Sequence, residues 1–172
     1  MKPIISVVGR SNSGKTTLLE RLIPEIRRRG YSVAVIKHHV NGFDLDREGK
    51  DSWRISKAGA DVVVLASPGK LALLQNTAGE LSPDEIAERY LGDVDIVFTE
   101  GFKSLDKPKI ELFRADLGEG RIPSTEEPIA FVSDDEKLSG TPSFRSEEIS
   151  ALADFIEKKF GGGVENGEFG LR

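Results

Sequence analysis

Ile4-Ile5-Ser6-Val7-Val8-Gly9-Arg10-Ser11-Asn12-Ser13-Gly14-Lys15-Thr16-Thr17 is the stretch that decides the fold of this chain. Ile4 to Val8 has the length and apolar content of a buried strand. The next eight residues match G-x-x-x-x-G-K-[ST], and the residues after them carry helical periodicity. In that order the pattern describes a phosphate site. A loop of small residues opening a helix can point successive backbone N–H groups at one anion, forming a nest at the positive end of the helix dipole. Lys15 adds a mobile cation for the outer phosphates, and the Thr16 hydroxyl is placed to ligate Mg²⁺, which prefers hard oxygen donors.

Composition sets the limits. A chain of 172 residues fits one domain that buries roughly 70% of its unfolded surface, and 38% apolar residues plus 18 glycines is ordinary globular usage. The net charge of −5 supplies no general field for nucleic acid, so phosphate affinity has to be local. Zero cysteines remove disulfides, thiolate metal sites and cysteine nucleophiles, and fit a cytoplasmic protein. No apolar run approaches a membrane span, so no membrane partner is expected.

Outward from the loop, a helix is expected from about Lys15 to Arg29, with Leu18, Leu19, Leu22, Ile23 and Ile26 on one stripe and Gly30 as terminator. Arg27-Arg28-Arg29 at its end complements the helix dipole. Ser32 to Lys37 reads as a second buried strand, and the polar stretch His38 to Asp51 is long enough to be a working loop. A short helix follows from about Ser52 to Ala58. Asp61 to Ala66 and Lys70 to Gln75 alternate about Pro68-Gly69 as a hairpin or two adjacent strands. Ser82-Pro83-Asp84-Glu85 is a capping box with proline at the first helical position, which predicts a helix to about Leu91. Val94 to Thr99, Lys109 to Phe113 and Ile129 to Val132 read as strands, and a last helix begins near Ser146. The division is a single domain over residues 1–160 and a flexible glycine-rich tail over 161–172. The fold class is α/β, a mostly parallel sheet with helices on both faces.

Ligands of such a sheet bind beyond the carboxyl ends of its strands. Three places qualify: the phosphate loop, Lys37-His38 with Asp44 and Asp46 further on, and Glu100. Glu100 is positioned to hold a water of the Mg²⁺ shell or to orient an attacking water. Asp46 is the second candidate metal partner, with a solvated loop charge as the alternative. His38 and His39 are adjacent on extended chain and point apart, which makes joint ligation awkward. Arg10 could reach a phosphate across a dimer interface or stand exposed on the surface. Lys50 and Arg54, at the start of the short helix, could read an anionic ligand.

GRSNSGKTT, KHHVNGFDLDREGKDSWR, AGAD, VFTEGFK and PKIEL, in this order and spacing, resemble the MobB-type molybdopterin-guanine dinucleotide biosynthesis adapter proteins. The similarity runs from about Ile4 to Val132, and Lys37 to Arg54 is more specific than the phosphate loop. The resemblance implies a P-loop NTPase-like fold and a homodimer that binds GTP with Mg²⁺ in the cytoplasm. It implies action beside the molybdopterin guanylyltransferase that joins GMP to molybdopterin, with molybdopterin itself a candidate ligand. It implies that Gly9 to Thr17 cradle GTP, that Glu100 serves Mg²⁺, and that Lys37, Asp46, Lys50 and Arg54 line the cleft. Members often carry a further histidine where this chain has Val40-Asn41-Gly42, so His38 and His39 are given no essential role.

The N-K-x-D motif by which many GTPases read guanine is missing. Ser133-Asp134-Asp135, directly after a strand, is the substitute, with Asp134 accepting from guanine N1 and N2; helix-capping acids are the alternative. Three functions stay open on these residues. One is a GTP-binding accessory protein with weak GTPase activity. The second is a small-molecule kinase or ATP-dependent ligase, and the third is a metallocentre-insertion GTPase, which zero cysteines and one adjacent histidine pair disfavour.

Overall fold

The computed structural model describes residues 2–43, 45–114, 121–122, 127–134 and 140–161. Eight strands and four helices occur among them, in the order β1 (Ile4–Gly9), α1 (Lys15–Arg28), β2 (Val33–Lys37), α2 (Asp51–Lys57), β3 (Val62–Ser67), β4 (Lys70–Gln75), α3 (Pro83–Tyr90), β5 (Ile96–Glu100), β6 (Lys109–Leu112), β7 (Ala130–Val132), β8 (Ser143–Phe144) and α4 (Ile149–Phe160). The expected tail beyond Gly161 lies outside the described residues, as do Asp44 and Asp135.

Six strands form one sheet in the order β2-β5-β1-β6-β7-β8, and every pairing in it is parallel. Side chains alternate across the pleat, and here both faces are covered, so the strands read as continuous apolar runs. Ile5, Val7, Ile96, Phe98 and Ile110 pack with Leu18, Leu22 and Ile26 of α1 and Leu152 and Ile156 of α4. Ile4 and Val97 turn the other way, onto Ala87 of α3. On that second face the buried Thr99 hydroxyl bonds Ser6 Oγ at 2.9 Å, so the polar pair between neighbouring strands is satisfied.

β2 departs from the sequence expectation of a second buried strand. It is the sheet edge, with Val35 42% exposed. The hairpin of β3 and β4 is a separate two-stranded antiparallel sheet. Its Val64, Leu65, Leu71 and Leu73 stand exposed.

The helices start and stop where local chemistry directs. Ser82 Oγ accepts from Glu85 N, and Glu85 Oε2 accepts from Ser82 N at 2.9 Å, which closes the capping box of α3. At the end of α1, Arg29 does more than meet a dipole. Its side chain is 12% exposed, and it donates to Glu25 and Glu157 and pairs with Asp154 at 2.6 Å, tying α1 to α4.

Candidate functional site

β1 ends between β5 and β6, so the chain leaving it emerges at the point where strand order reverses, the usual ligand crevice of an open parallel sheet. The loop from Gly9 turns through two left-handed residues, Asn12 (φ 61°) and Gly14 (φ 93°). Gly14 caps α1 without any side-chain hydrogen bond, so the first N–H groups of the helix are left for a ligand. Gly9 is required for close approach: a Cβ there would stand 2.5 Å from Ser13 Oγ and 3.0 Å from the Leu112 carbonyl oxygen. Ser13 Oγ is buried without a hydrogen-bond partner.

Lys15 folds back over this loop and donates to the carbonyls of Gly9 (3.2 Å) and Arg10 (2.6 Å). Partial burial lowers its ammonium pKa; Glu100 opposes that shift, and Lys103 and Lys37 add to it. Thr16 Oγ1 donates to both carboxylate oxygens of Glu100 at 3.1 Å. Lys37 Nζ stands 3.4 Å from Glu100 Oε1. Lys37 and Lys15 thus both act on the Glu100 carboxylate, beside a helix start that has no side-chain cap. A hydroxyl and a carboxylate face each other at hydrogen-bond range, the donor set that suits Mg²⁺ between phosphate oxygens.

Two pockets flank the loop. One, of about 660 Å³, opens beside Gly9, Ser11 and Lys15 and is walled by His38, Gly101, Phe102 and Lys103. Gly101 (φ 107°) and Phe102 (φ 48°) are both left-handed, a sharp turn that carries Lys103 back toward Lys15. The His38 ring stacks on Phe102 with centroids 4.5 Å apart, and His38 Nε2 meets Glu80 Oε1 at 2.6 Å. His39 meets Phe43 instead. The other pocket, of about 200 Å³, lies on the helix side, with Thr17, Leu18, Arg21, Ser133 and Asp134. Asp134 accepts from Ser146 N and Ser146 Oγ, both at 2.8 Å, and those bonds hold its carboxyl below the usual range.

The structure therefore gathers Gly9, Arg10, Ser11, Asn12, Ser13, Gly14, Lys15, Thr16, Thr17, Lys37 and Glu100, with Asp134 one pocket away. Asp46 does not join them: it lines a third cavity, among Phe43, Trp53 and Tyr90. Lys50 is the N-cap residue of α2 and makes no side-chain capping bond, and Arg54, 71% exposed, pairs with Asp51 at 3.7 Å. Lys103 and Phe102 were missed as site residues. The signal was Gly101, whose left-handed turn follows directly on the strand that carries Glu100.

A strand-to-helix phosphate loop, at the reversal point of a parallel sheet with a threonine and a carboxylate beside its lysine, defines a P-loop nucleotide-binding protein. Residues 4–134 match the family model described as molybdopterin guanine dinucleotide synthesis protein B, MobB. The chain belongs to that family. It is 38% identical over 157 residues to the molybdopterin-guanine dinucleotide biosynthesis adapter protein of Haemophilus influenzae, covering 90% of this chain and 88% of that one. The Escherichia coli protein of the same description is 37% identical over 69% of each chain. Among solved structures, a molybdopterin-guanine biosynthesis protein B is 39% identical with a TM-score of 0.70, covering 91% of this chain and 99% of that one. Bacillus subtilis MobB is 30% identical with a TM-score of 0.72, covering 92% and 98%. Among the described residues no helix is long and apolar enough to cross a membrane.

Proposed function

We propose that this chain is a Mg²⁺-dependent GTP-binding adapter in molybdopterin guanine dinucleotide synthesis, acting as a cytoplasmic homodimer beside a molybdopterin guanylyltransferase. The observation that carries the nucleotide half is the Thr16–Glu100 pair next to Lys15, beneath the uncapped start of α1. The nest, Lys15 and Lys37 would hold the phosphates, and Thr16 and Glu100 would hold Mg²⁺, which supplies charge neutralisation on the phosphate oxygens when bound. The nucleoside would extend into the pocket of Thr17, Leu18 and Asp134, with Asp134 accepting from guanine. Asp46, Lys50 and Arg54 have no part in this nucleotide site. Glu100 would assist hydrolysis through Mg²⁺ or its water, with no acceptor to drive fast turnover, so the output is a binding event. The exposed apolar face of the β3–β4 hairpin supports pairing with a second copy.

Membership of the adapter family weighs against the kinase, ligase and metallocentre readings. The test is calorimetric titration with GTP and ATP, with and without Mg²⁺, on wild type and Lys15→Ala. The reading expects GTP to bind more tightly than ATP, only with Mg²⁺, and Lys15→Ala to lose at least about tenfold in affinity. Equal affinities for wild type and Lys15→Ala would remove the site. Light scattering that finds only monomer over a wide concentration range would remove the dimer.

A further inference from the structure

The two pockets that flank the phosphate loop share no lining residue. Ser13, Gly14 and Thr17 face the one that holds Asp134, whereas Gly9, Ser11 and Lys15 face the larger one. A nucleotide whose base lies with Asp134 runs its phosphates along the loop, so its last phosphate ends at the mouth of the larger pocket.

The wall of that pocket offers a second cation there. Lys103 lines it together with Lys15, and among the described residues Lys103 makes no hydrogen bond or ion pair. Its charge is felt at Lys15 as a repulsion that helps to lower the Lys15 pKa. Like charges across one pocket repel, and an anion between them relieves both. The other charged groups nearby are already engaged. Glu80, on the same wall, meets His38 Nε2 at 2.6 Å, and Lys37 stands 3.4 Å from Glu100 and outside this pocket.

The backbone under Lys103 is held firmly. Gly101 and Phe102 reverse the chain directly after Glu100 with φ of 107° and 48°, and Leu105 N donates to the Phe102 carbonyl at 3.3 Å, which closes a turn with Lys103 in its second position. A left-handed phenylalanine is costly and persists only where its surroundings fix it. His38 does so from one side: its ring stacks on Phe102 with centroids 4.5 Å apart, and its N–H donates to the Glu100 carbonyl at 3.0 Å. Beyond the turn, Lys107 Nζ meets Asp84 Oδ1 of α3 at 2.7 Å.

We propose that Lys103 is a specificity-determining residue of the nucleotide site. Its ammonium contacts the terminal phosphate of a nucleoside triphosphate, so the site prefers GTP to GDP, and His38 is the positioning residue that holds the turn through Phe102. This assignment rests on the nucleotide reading and adds which phosphate is discriminated and by what. With GDP the phosphates end one short of Lys103, and the ammonium stays in water.

The test is calorimetric titration of the full chain with GTP and with GDP, both with Mg²⁺. Wild type should bind GTP about tenfold or more tightly than GDP. Lys103→Met keeps the length of an exposed side chain and removes its charge; it should lose about tenfold in GTP affinity and less than about threefold in GDP affinity. Lys103→Arg should keep most of the preference. A general disturbance of the loop would weaken both nucleotides alike. His38→Ala should lose part of the preference, and His38→Phe, which keeps a ring against Phe102, should retain it.

Equal affinities of wild type for GTP and GDP would overturn the proposal and leave the nucleotide reading standing, as would a Lys103→Met with the wild-type ratio of the two. A wild-type ratio in His38→Ala would overturn the positioning role. A wild type that binds neither nucleotide would sink the nucleotide reading, and the proposal with it.

Discussion

Replacing Gly9 by alanine isolates the packing that shapes the phosphate loop. Gly9 pairs with Leu112 across the sheet and is absent from the left-handed residues, so alanine there meets no backbone strain, only atoms. The new methyl would stand 2.5 Å from Ser13 Oγ, 3.0 Å from the Leu112 carbonyl oxygen and 3.3 Å from Leu112 Cβ. A serine hydroxyl can rotate away, whereas a sheet carbonyl moves only with its strand. Overpacking of this kind costs about 1–3 kcal/mol. The loss of unfolded-chain freedom on Gly→Ala returns about 0.4–1 kcal/mol. A net loss of about 1–2 kcal/mol lowers Tm by roughly 2–8 °C at this chain length. Ser13 Oγ is buried and unpartnered, so Ser13→Ala alone should be close to neutral, and the double variant should recover about 0.5 kcal/mol or more. Gly14→Ala is the comparison. Its φ of +93° strains alanine by about 1–2 kcal/mol, but no atom lies within 4 Å, so Ser13→Ala should not rescue it. Urea denaturation followed by circular dichroism at fixed protein concentration measures all five proteins. A Gly9→Ala as stable as wild type, or a double variant no better than Gly9→Ala, refutes the close-approach account.

Glu100→Gln keeps the Thr16 contact in outline but removes the charge; single-turnover hydrolysis should slow by about tenfold or more while GTP affinity changes modestly, and an unchanged rate would leave Glu100 without a part in hydrolysis. Asp134→Asn should narrow the gap between GTP and ATP affinities by about tenfold in parallel calorimetric titrations, since hydrogen bonds to a charged group are worth about 1.5–3 kcal/mol; an unaltered gap would place guanine recognition elsewhere. Hydrogen bonds from Arg28 and Arg29 pull the Glu25 carboxyl from 4.5 down to about 2. A depressed carboxyl pKa contributes stability above its ordinary value and loses it as pH falls toward the folded value, so wild-type urea midpoints should decline between about 4.5 and 2 more steeply than those of Glu25→Gln. Parallel curves would show that the pair adds nothing.

The parts of this molecule legible in its sequence are those set by neighbours along the chain. The phosphate loop, the Ser82 capping box and the β3–β4 hairpin each rest on a few contiguous residues, and each was found where expected. β2 was misjudged because Ser32 to Lys37 is as apolar as a central strand, and nothing local says that it stands at the sheet edge with β5 alone beside it. β8 spans two residues and carries no period at all. The same division runs through the site. Glu100 could be placed by strand-end logic, whereas Lys103 reaches the pocket only through the left-handed turn at Gly101 and Phe102. Asp46 was grouped with Glu100 because both follow strands. The loop from His38 to Asp51 instead delivers it among the aromatic side chains beside α2, a long-range choice that spacing does not encode.

The central claim is that nucleotide held at this loop serves guanine-dinucleotide formation by a partner enzyme. Its most direct test reconstitutes that synthesis from molybdopterin, GTP, Mg²⁺ and a limiting amount of purified molybdopterin guanylyltransferase, with and without this chain. Wild type should raise the yield of dinucleotide while turning over little GTP by itself, and Lys15→Ala, folded by circular dichroism, should not. Equal yields with wild type, with Lys15→Ala and with no added chain would contradict the account and leave only a P-loop nucleotide binder.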